Sequence, residues 1–249
     1  MNHAEFLEQT LQSLKEQRGI MPEELEVIVI DGGSSDGTAT ILKRWESGLI
    51  REWVSEPDDG QTDALSKGFA LSRGSILGWL CSDDLLEPWT VREVLDFFRR
   101  TPGAEFVYGD ATWIDRSGNR LRPKKEIPFN WFIWLHDHNY IPQPAAFWRR
   151  TLHEAVGGLD PHFNVAMDAD LFARFAQRTR PIHVRRPWAR ARWYSEQKSQ
   201  RLHSQRDRED RLIRERLGVS FGSPIASRVR RVGAKACRVG WKLLRGAYW

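Results

Sequence analysis

The sequence predicts an α/β protein in which a mostly parallel sheet is covered by helices on both faces. Apolar runs of strand length alternate along the chain with segments of helical periodicity, and this alternation favours parallel strands joined by helical crossovers. One run, LEVIVI at residues 25–30, is apolar without interruption, which is typical of a strand buried on both faces. The first half of the chain carries most of this pattern.

The chain opens on a helix, because apolar side chains between Phe6 and Leu14 recur at helical spacing. The strand at 25–30 ends at Asp31, and DGGSSDGT follows it with the glycines of a tight turn. Ser35 or Asp36 can cap the next helix. The further elements predicted in this half are a helix at 38–46, a strand at 50–56, a turn and helix within 58–74, and a strand at 75–81.

The second half continues with longer helices and fewer clear strands. TVREVLDFFRR at 90–100 and the amphipathic segment at 168–179 predict helices, the latter with Leu171, Phe172 and Phe175 on one side. Strands are predicted at 105–115 and 142–150, and a short helix closed by glycine at 151–158.

Composition indicates a globular protein whose cysteines are in the reduced, thiol form. The chain has 249 residues, enough for one large domain or a domain with an appendage. Its two cysteines, Cys81 and Cys237, lack metal-type spacing and fit a reducing cytosol better than a disulfide framework. We see no signal peptide and no apolar run long enough to cross a membrane.

Charge divides the chain into two parts. Residues 201–249 hold 13 Arg and Lys against four Asp and Glu, a net charge of +9, whereas the whole chain carries +5. We therefore expect one domain at 1–200 and a basic helical C-terminal extension at 201–249. Such an extension indicates a negatively charged partner, either anionic lipid or nucleic acid.

Three carboxylates follow predicted strands on one rim of the sheet. Asp31 ends one strand, and Asp83 and Asp84 follow the strand at 75–81. Ligands of open α/β sheets bind at the carboxyl ends of the strands. Two adjacent carboxylates repel each other, so a positive protein group or a bound cation is expected beside Asp83 and Asp84.

Several segments together resemble the family 2 glycosyltransferases, which have the GT-A fold. They occur in family order over roughly residues 2–200, and the ordered set is far more specific than any one of them. The matching segments are VIVIDGGSSDGT, SEPDDGQTDALSKGFALSRGSILGWLCSDD, VYGDATWID, IPQPAAFWRR and AMDADLFARFA.

The resemblance implies a nucleotide-sugar site. Asp31 matches the residue that contacts the nucleotide base. Asp83 and Asp84 match the acidic metal motif, with Asp83 near the ribose and Asp84 binding Mg²⁺ or Mn²⁺. Hard oxygen ligands suit these ions, which can bridge a carboxylate to the donor diphosphate.

The resemblance also implies an inverting reaction. Asp168 matches the catalytic base that takes a proton from the acceptor hydroxyl as it attacks the anomeric carbon. Asp58 and Lys67 lie in the segment with which the family holds the nucleotide-sugar donor.

The residues alone leave simpler interpretations open. DGGSSDGT can be only a strand-to-helix turn, residues 82–84 can cap the next helix, and Asp168 and Asp170 can be first-turn acids favoured by the helix dipole. The ordered set of segments favours function for the aspartates. The same set does not favour a function for His136 and His138, a loop pair that we interpret as solvated.

The chain departs from the family pattern at two places. MNHAEFLEQT begins where the family's first central strand would have ended, so either the true start lies upstream or the first strand is missing. Tyr194 stands where the family often has a metal-assisting histidine, which puts the metal dependence in question, and Ser66 replaces a common asparagine.

The segment from 224 to 249 predicts an amphipathic helix. Apolar residues from Ile225 to Leu243 and basic residues from Arg231 to Arg245 recur in two parallel stripes, as in helices that lie on a membrane surface. Trp241, Tyr248 and Trp249 suit the headgroup region. The alternative is a helix docked on the body of the protein.

The resemblance to family 2 predicts an inverting glycosyltransferase, and it alone implies a setting in bacterial surface polysaccharide synthesis. The enzyme would be cytoplasmic, with peripheral attachment to the anionic inner face of the membrane, and it would use a glycan or lipid-linked acceptor. The alternative is an inactive, N-terminally truncated member that binds glycans or scaffolds a membrane complex. Nucleic-acid binding is disfavoured, since the body is acidic and the extension lacks a nucleic-acid motif.

Overall fold

The computed structural model describes residues 2–220 and 222–247 as an α/β fold. Two short 3₁₀ turns, at Pro22–Glu24 and Gln143–Ala145, accompany the helices and strands. The helices are α1 (Ala4–Lys15), α2 (Thr38–Trp45), α3 (Gln61–Leu71), α4 (Thr90–Arg100), α5 (Trp131–His136), α6 (Arg150–Ala155), α7 (Met167–Arg178), α8 (Lys198–Arg201), α9 (His203–Arg216) and α10 (Pro224–Leu244). The strands are β1 (Val27–Asp31), β2 (Ile50–Ser55), β3 (Ile76–Leu77), β4 (Leu85–Leu86), β5 (Phe106–Ile114), β6 (Arg120–Lys124), β7 (Ala146–Arg149) and β8 (Ile182–Arg192).

The strands form two separate sheets. β1 and β2 pair in parallel, and the other six strands form a sheet of order β3-β7-β5-β8-β4, with β6 paired to β5. Within the described residues, β1 pairs only with β2, and β3 pairs only with β7. β1 and β3 therefore each have one edge without a partner strand among the described residues.

The strand directions are mixed rather than mostly parallel. β5 and β8 run in parallel, but β3–β7, β5–β7, β5–β6 and β4–β8 are antiparallel pairs. The alternation of strands and helices predicts the α/β class correctly. It does not fix direction, because loops and a hairpin, rather than a helical crossover, reach several of these strands.

The longest strand, β8, has no counterpart in the sequence prediction. Its sequence, IHVRRPWARAR, contains a proline, a histidine and four arginines, and these residues interrupt any apolar run. Burial is nevertheless concentrated at its end, where Trp188, Ala189 and Arg192 are buried. The strand predicted at 75–81 is reduced to two residues, because the Gln143 side chain, rather than a strand, donates to the Trp79 carbonyl.

An aromatic core fixes α7 on the central sheet. Phe106 and Trp148, from β5 and β7, contact Phe172 and Phe175 of α7, with ring centroids 5.1 Å apart for Phe106 and Phe172. All four side chains are fully buried. Each buried aromatic ring contributes on the order of 2 kcal/mol through the area it removes from water. This packing fixes α7, whose first turn carries Asp168, against β5 and β7.

The C-terminal helices pack on the body in different ways. α9 buries Glu209 and Ile213 beside α7, whereas α10 buries only Ala234 along its length and lies near α5. The helical nature of the extension is confirmed, and its division from the body at residue 200 stays a prediction. None of the described helices is both long enough and apolar enough to cross a bilayer.

Candidate active site

The acidic turn after β3 is held by the first helix. Thr10 of α1 donates its hydroxyl hydrogen to a main-chain acceptor of this turn, with Oγ1 2.8 Å from the Ser82 carbonyl and 2.9 Å from the Asp84 carbonyl. The amide of Asp84 donates to the carbonyl of Cys81. Both carboxylates are largely buried, at 8% exposed for each residue. The turn is therefore fixed by its main chain, which leaves the side chains available for other contacts.

A buried arginine supplies the positive charge that the sequence called for. Arg192, at the end of β8, is 1% exposed, and its Nε donates to the carbonyl of Asp83 at 2.8 Å. Its backbone N–H donates to Oδ1 of Asp84 at 2.8 Å. The guanidinium thus lies behind the acidic turn and offsets part of its charge.

Arg192 does not neutralise the pair completely. Burial and the neighbouring charge of Asp83 raise the pKa of Asp84 well above its usual range, against the opposing effect of Arg192. Burial, followed by the charges of Asp84, Asp83 and Asp168, also raises the pKa of the Cys81 thiol. The site therefore retains an excess of negative charge that a cation would relieve.

The donor set fits a divalent metal ion. Ligand atoms of Cys81, Asp83 and Asp84 all lie within 4.8 Å of one another. Two carboxylates suit Mg²⁺ or Mn²⁺, and the thiol is a softer donor that sequence analysis did not assign. His136 and His138 do not belong to this group within the described residues.

Tyr194 forms a hydrogen bond with one carboxylate oxygen of this cluster. Its hydroxyl donates to Oδ2 of Asp83 at 2.9 Å, and its side chain is buried. Burial and the charge of Asp83 raise the pKa of the phenol, so the side chain stays neutral. Tyr194 therefore orients Asp83 by a hydrogen bond where a histidine could have bound the metal directly.

Asp168 lies in the first turn of α7, within the electrostatic reach of Cys81. The Asn139 side chain donates to its Oδ2 at 3.2 Å. Burial, with added repulsion from Asp210 and Glu209, raises the pKa of Asp168 to about 6. A carboxylate with this pKa is ionised at neutral pH and is a stronger base than an exposed aspartate.

Asp31 is saturated by hydrogen bonds. Oδ2 accepts from the Ser34 amide at 2.9 Å and from the Ser55 hydroxyl at 2.7 Å, and the Ser34 hydroxyl donates to Oδ1. Burial opposes ionisation, but these three hydrogen bonds hold the pKa of Asp31 below its usual value. The carboxylate is thus fixed at the end of β1.

Asp58 lies against the loop that follows Asp31. Its Oδ1 accepts from the Gly60 amide at 2.9 Å, and its carboxyl group approaches Gly32 so closely that a Cβ there would collide with it. Asp58 also contributes to the electrostatic field at Lys198. The structure therefore brings Asp31, Asp58 and the acidic cluster to one side of the molecule.

Lys67 is engaged elsewhere. Its ammonium forms ion pairs with Glu56 at 3.0 Å and with Asp63 at 3.1 Å, and the side chain is 34% exposed. Its role toward a donor stays a prediction.

Lys198 is a site residue that sequence analysis missed. Its ammonium donates to the carbonyl of Asn164 at 2.6 Å and to its Oδ1 at 2.7 Å, and it lies 3.3 Å from Oε1 of Gln61. Burial lowers the pKa of Lys198, while the neighbouring Cys81 acts in the opposite sense. No local pattern in the sequence marks this lysine, because its partners are 34 and 137 residues away.

Comparison with known proteins agrees with this arrangement. The profile of glycosyl transferase family 2 matches residues 1–157. An uncharacterized glycosyltransferase of Mycobacterium tuberculosis is 31% identical over 185 residues, which cover 74% of this chain and 69% of that protein. Chondroitin synthase of Escherichia coli is 29% identical over 163 residues, which cover 62% of this chain and 22% of that protein.

The fold has a counterpart among solved structures. A mannosyltransferase from Pyrobaculum calidifontis, solved with GDP-Man and Mn²⁺, superposes with a TM-score of 0.63 at 18% identity. The superposition covers 94% of this chain and 66% of that one. This likeness confirms the GT-A fold. This chain spans only part of each of these proteins.

Proposed function

Because the chain belongs to glycosyl transferase family 2, we propose that it transfers a sugar from a nucleotide-sugar donor to a hydroxyl group with inversion at the anomeric carbon. The acceptor would be a glycan or a lipid-linked glycan. The similarity to a chondroitin synthase supports a role in polysaccharide synthesis.

The proximity of a basic carboxylate to an acidic metal-type cluster carries this proposal. Asp168, with its pKa raised to about 6, acts electrostatically on Cys81, which lies beside Asp83 and Asp84. A glycosyl transfer needs both features within a few ångströms: a base for the incoming hydroxyl and positive charge for the departing diphosphate.

Each residue then has a defined task. Asp168 accepts the proton of the acceptor hydroxyl. As it does so, the hydroxyl oxygen forms a bond to the anomeric carbon, and the bond from that carbon to the nucleoside diphosphate breaks. Asp83 and Asp84 would hold Mg²⁺ or Mn²⁺, which when bound stabilises the negative charge on the leaving group. Asp31 and Asp58 would position the nucleoside, and Tyr194 keeps Asp83 oriented.

The non-enzymatic alternative is not favoured. A scaffold has no need for a carboxylate with a raised pKa or for an acidic pair held on a buried arginine. Such arrangements cost folding stability and are typical of active sites.

The test is release of nucleoside diphosphate from a panel of UDP-, GDP- and dTDP-sugars with Mn²⁺ and a mixture of bacterial glycan acceptors. We expect one donor to be turned over by the wild type and not by Asp84→Asn. Asp207→Asn, which removes an exposed carboxylate on α9, is the matched control and should match the wild type. Equal turnover by wild type and Asp84→Asn would contradict the assignment.

We also propose that α10 attaches the protein to an anionic membrane surface. The predicted apolar stripe faces away from the body: Ile225 is 78% exposed, Val229 65% and Val232 61%. Helix α10 instead docks through charge, with Arg238 paired to Asp137 and Lys242 paired to Glu126. Those two basic residues are therefore used for docking, while Arg231 and Lys235 are exposed beside the apolar stripe.

This arrangement suits a helix that lies on lipid headgroups. The transfer of exposed valine and isoleucine side chains from water to the acyl boundary lowers the free energy, and exposed basic residues are attracted to anionic lipid. Trp241 is 41% exposed but lies about 160° around the helix from Ile225, on the face opposite the stripe. Tyr248 and Trp249 lie outside the described residues.

Vesicle co-sedimentation tests the attachment. The full chain should bind vesicles that contain phosphatidylglycerol, and Val229→Glu combined with Val232→Glu should reduce binding by about tenfold. Met21→Glu changes another exposed apolar residue outside α10 and is the control. Equal binding by the double variant, or equal binding to neutral vesicles, would contradict the proposal.

A further inference from the structure

The turn that leads into α7 is held by a residue from a distant helix. Glu209 of α9 is 5% exposed, and its carboxylate accepts from three consecutive backbone amides: Asn164 at 3.2 Å, Val165 at 2.8 Å and Ala166 at 2.7 Å. The Gln205 side chain donates to the same carboxylate at 2.8 Å. The carboxylate therefore has a full set of donors.

The local sequence cannot provide this anchor. The N-cap residue of α7 is Ala166, whose side chain has no acceptor. Glu209 binds the N-cap amide and the two amides before it, whereas a serine or aspartate at the N-cap would bind amides inside the first turn. The negative charge of Glu209 at this end also interacts favourably with the helix dipole.

The same turn is held from its other side. Lys198 donates to the carbonyl and side chain of Asn164, and the Thr62 hydroxyl donates to the carbonyl of Phe163. Ile213, one turn beyond Glu209, is 2% exposed and anchors α9 in the aromatic core. The turn that leads into α7 is therefore clamped between α9, α8 and α3.

Asp168 is the second residue of α7 and follows this turn directly. We propose that Glu209 is a positioning residue for Asp168: it fixes the first turn of α7 and so sets where the base stands. The inference rests on the proposed function of Asp168. It assigns to the C-terminal extension a part in catalysis that is separate from membrane attachment.

Two acidic groups on α9 repel the charged form of Asp168. Both Glu209 and Asp210 oppose its ionisation, after the larger effect of burial. Removing the charge of Glu209 therefore moves the Asp168 pKa downward as well as loosening the turn. A residue that contributed only to folding would not change the pH profile.

The experiment compares Glu209→Gln, Glu209→Asp and Glu209→Ala with Glu215→Gln. Glu215 lies on the same helix, is 43% exposed and pairs with Arg211, so its substitution is a matched loss of charge. We expect Glu209→Gln to lower kcat about 10- to 100-fold, with the donor KM changed less than about threefold. The acid limb of its pH profile should move to lower pH, and Glu215→Gln should behave as the wild type.

Hydrogen exchange and the other variants keep the test decisive. Amides 164–168 should exchange faster in Glu209→Ala, and Glu209→Asp should recover part of kcat. Unchanged kcat and pH profile in a folded Glu209→Gln would overturn the inference, as would a fall in kcat with unchanged exchange at 164–168. Asp168→Asn is measured in parallel: if it retains turnover, the proposed function fails, whereas its loss beside an active Glu209→Gln overturns only the role of Glu209.

Discussion

Asp31, at the end of β1, and Asp84, in the turn between β3 and β4, lie on one side of the protein, but their surroundings differ sharply. Asp31 accepts three hydrogen bonds from Ser34 and Ser55, and its pKa lies below the usual value. The Asp84 carboxylate accepts one hydrogen bond, from the Arg192 amide, among the described residues, and its pKa lies well above the usual range.

The difference separates residues that complete the fold from residues that need a ligand. A carboxylate with three donors is satisfied by its own protein and contributes to folding. One with a single donor beside a like charge destabilises the protein unless a cation joins it. By this criterion we propose that Asp31 shapes the pocket, while Asp84 and Asp168 carry the chemistry.

The largest expected effect is at Asp168. Asp168→Asn removes the base but keeps the size of the side chain, so kcat should fall by about 10³-fold or more while nucleotide affinity stays within about threefold. Steady-state kinetics together with nucleotide titration measure both. Loss of affinity with unchanged kcat would place Asp168 among the binding residues instead.

The pH profile sharpens the same assignment. The ionised form of Asp168 is the base, and its pKa is raised to about 6, so turnover should fall as pH decreases through about 6. At pH 5 the rate should be about one tenth of its plateau. A rate that stays level down to pH 4.5 would contradict a base with this pKa.

Asp31→Asn should act on both affinity and stability. Its hydrogen bonds lower the pKa of the folded state, so they stabilise the protein above the unfolded pKa near 4, and this contribution is lost as pH falls through the lower folded value. We expect a loss of about 1 to 2 kcal/mol at pH 7 and a rise in donor KM of about tenfold. Urea unfolding, with Asp207→Asn as control, measures the stability. An unchanged midpoint would remove the distinction between Asp31 and Asp84.

The smallest effect is expected at Lys67. Its exposed ion pairs with Glu56 and Asp63 are screened by water and salt, so Lys67→Met should change the melting temperature and the donor KM only slightly, by less than about twofold for KM. A much larger rise in KM would show that Lys67 leaves these pairs to contact the donor.

The sequence predicted the acidic cluster better than it predicted its supports. Asp83, Asp84 and Asp168 stand in short recognisable segments. The strand that ends at Asp31 has a clear apolar pattern. Arg192 and Glu209 are supports whose partners are 108 and 43 residues away, in segments that read as charged surface. Long-range hydrogen bonds of this kind leave no local periodicity, so only the folded chain identifies them.

In the sheet too, local sequence patterns did not predict features that depend on distant residues. β8 was missed because its first half alternates basic residues with Val184 and Pro187, and burial becomes dense only near Trp188. Strand direction also could not be predicted, since β4, β6 and β7 each pair antiparallel with partners that are distant or joined by a hairpin. Helices α4 and α7 were predicted within one residue because their apolar stripes are local.

Thermal shift with UDP, GDP, dTDP and CMP, each with and without Mn²⁺, tests the central distinction most directly on wild type, Asp84→Asn and Asp31→Asn. We predict that one nucleotide raises the melting temperature of the wild type only with Mn²⁺, that Asp84→Asn abolishes this dependence on Mn²⁺, and that Asp31→Asn weakens the shift but keeps it dependent on the metal. A nucleotide shift that depends on Mn²⁺ equally in Asp84→Asn and the wild type would contradict the account.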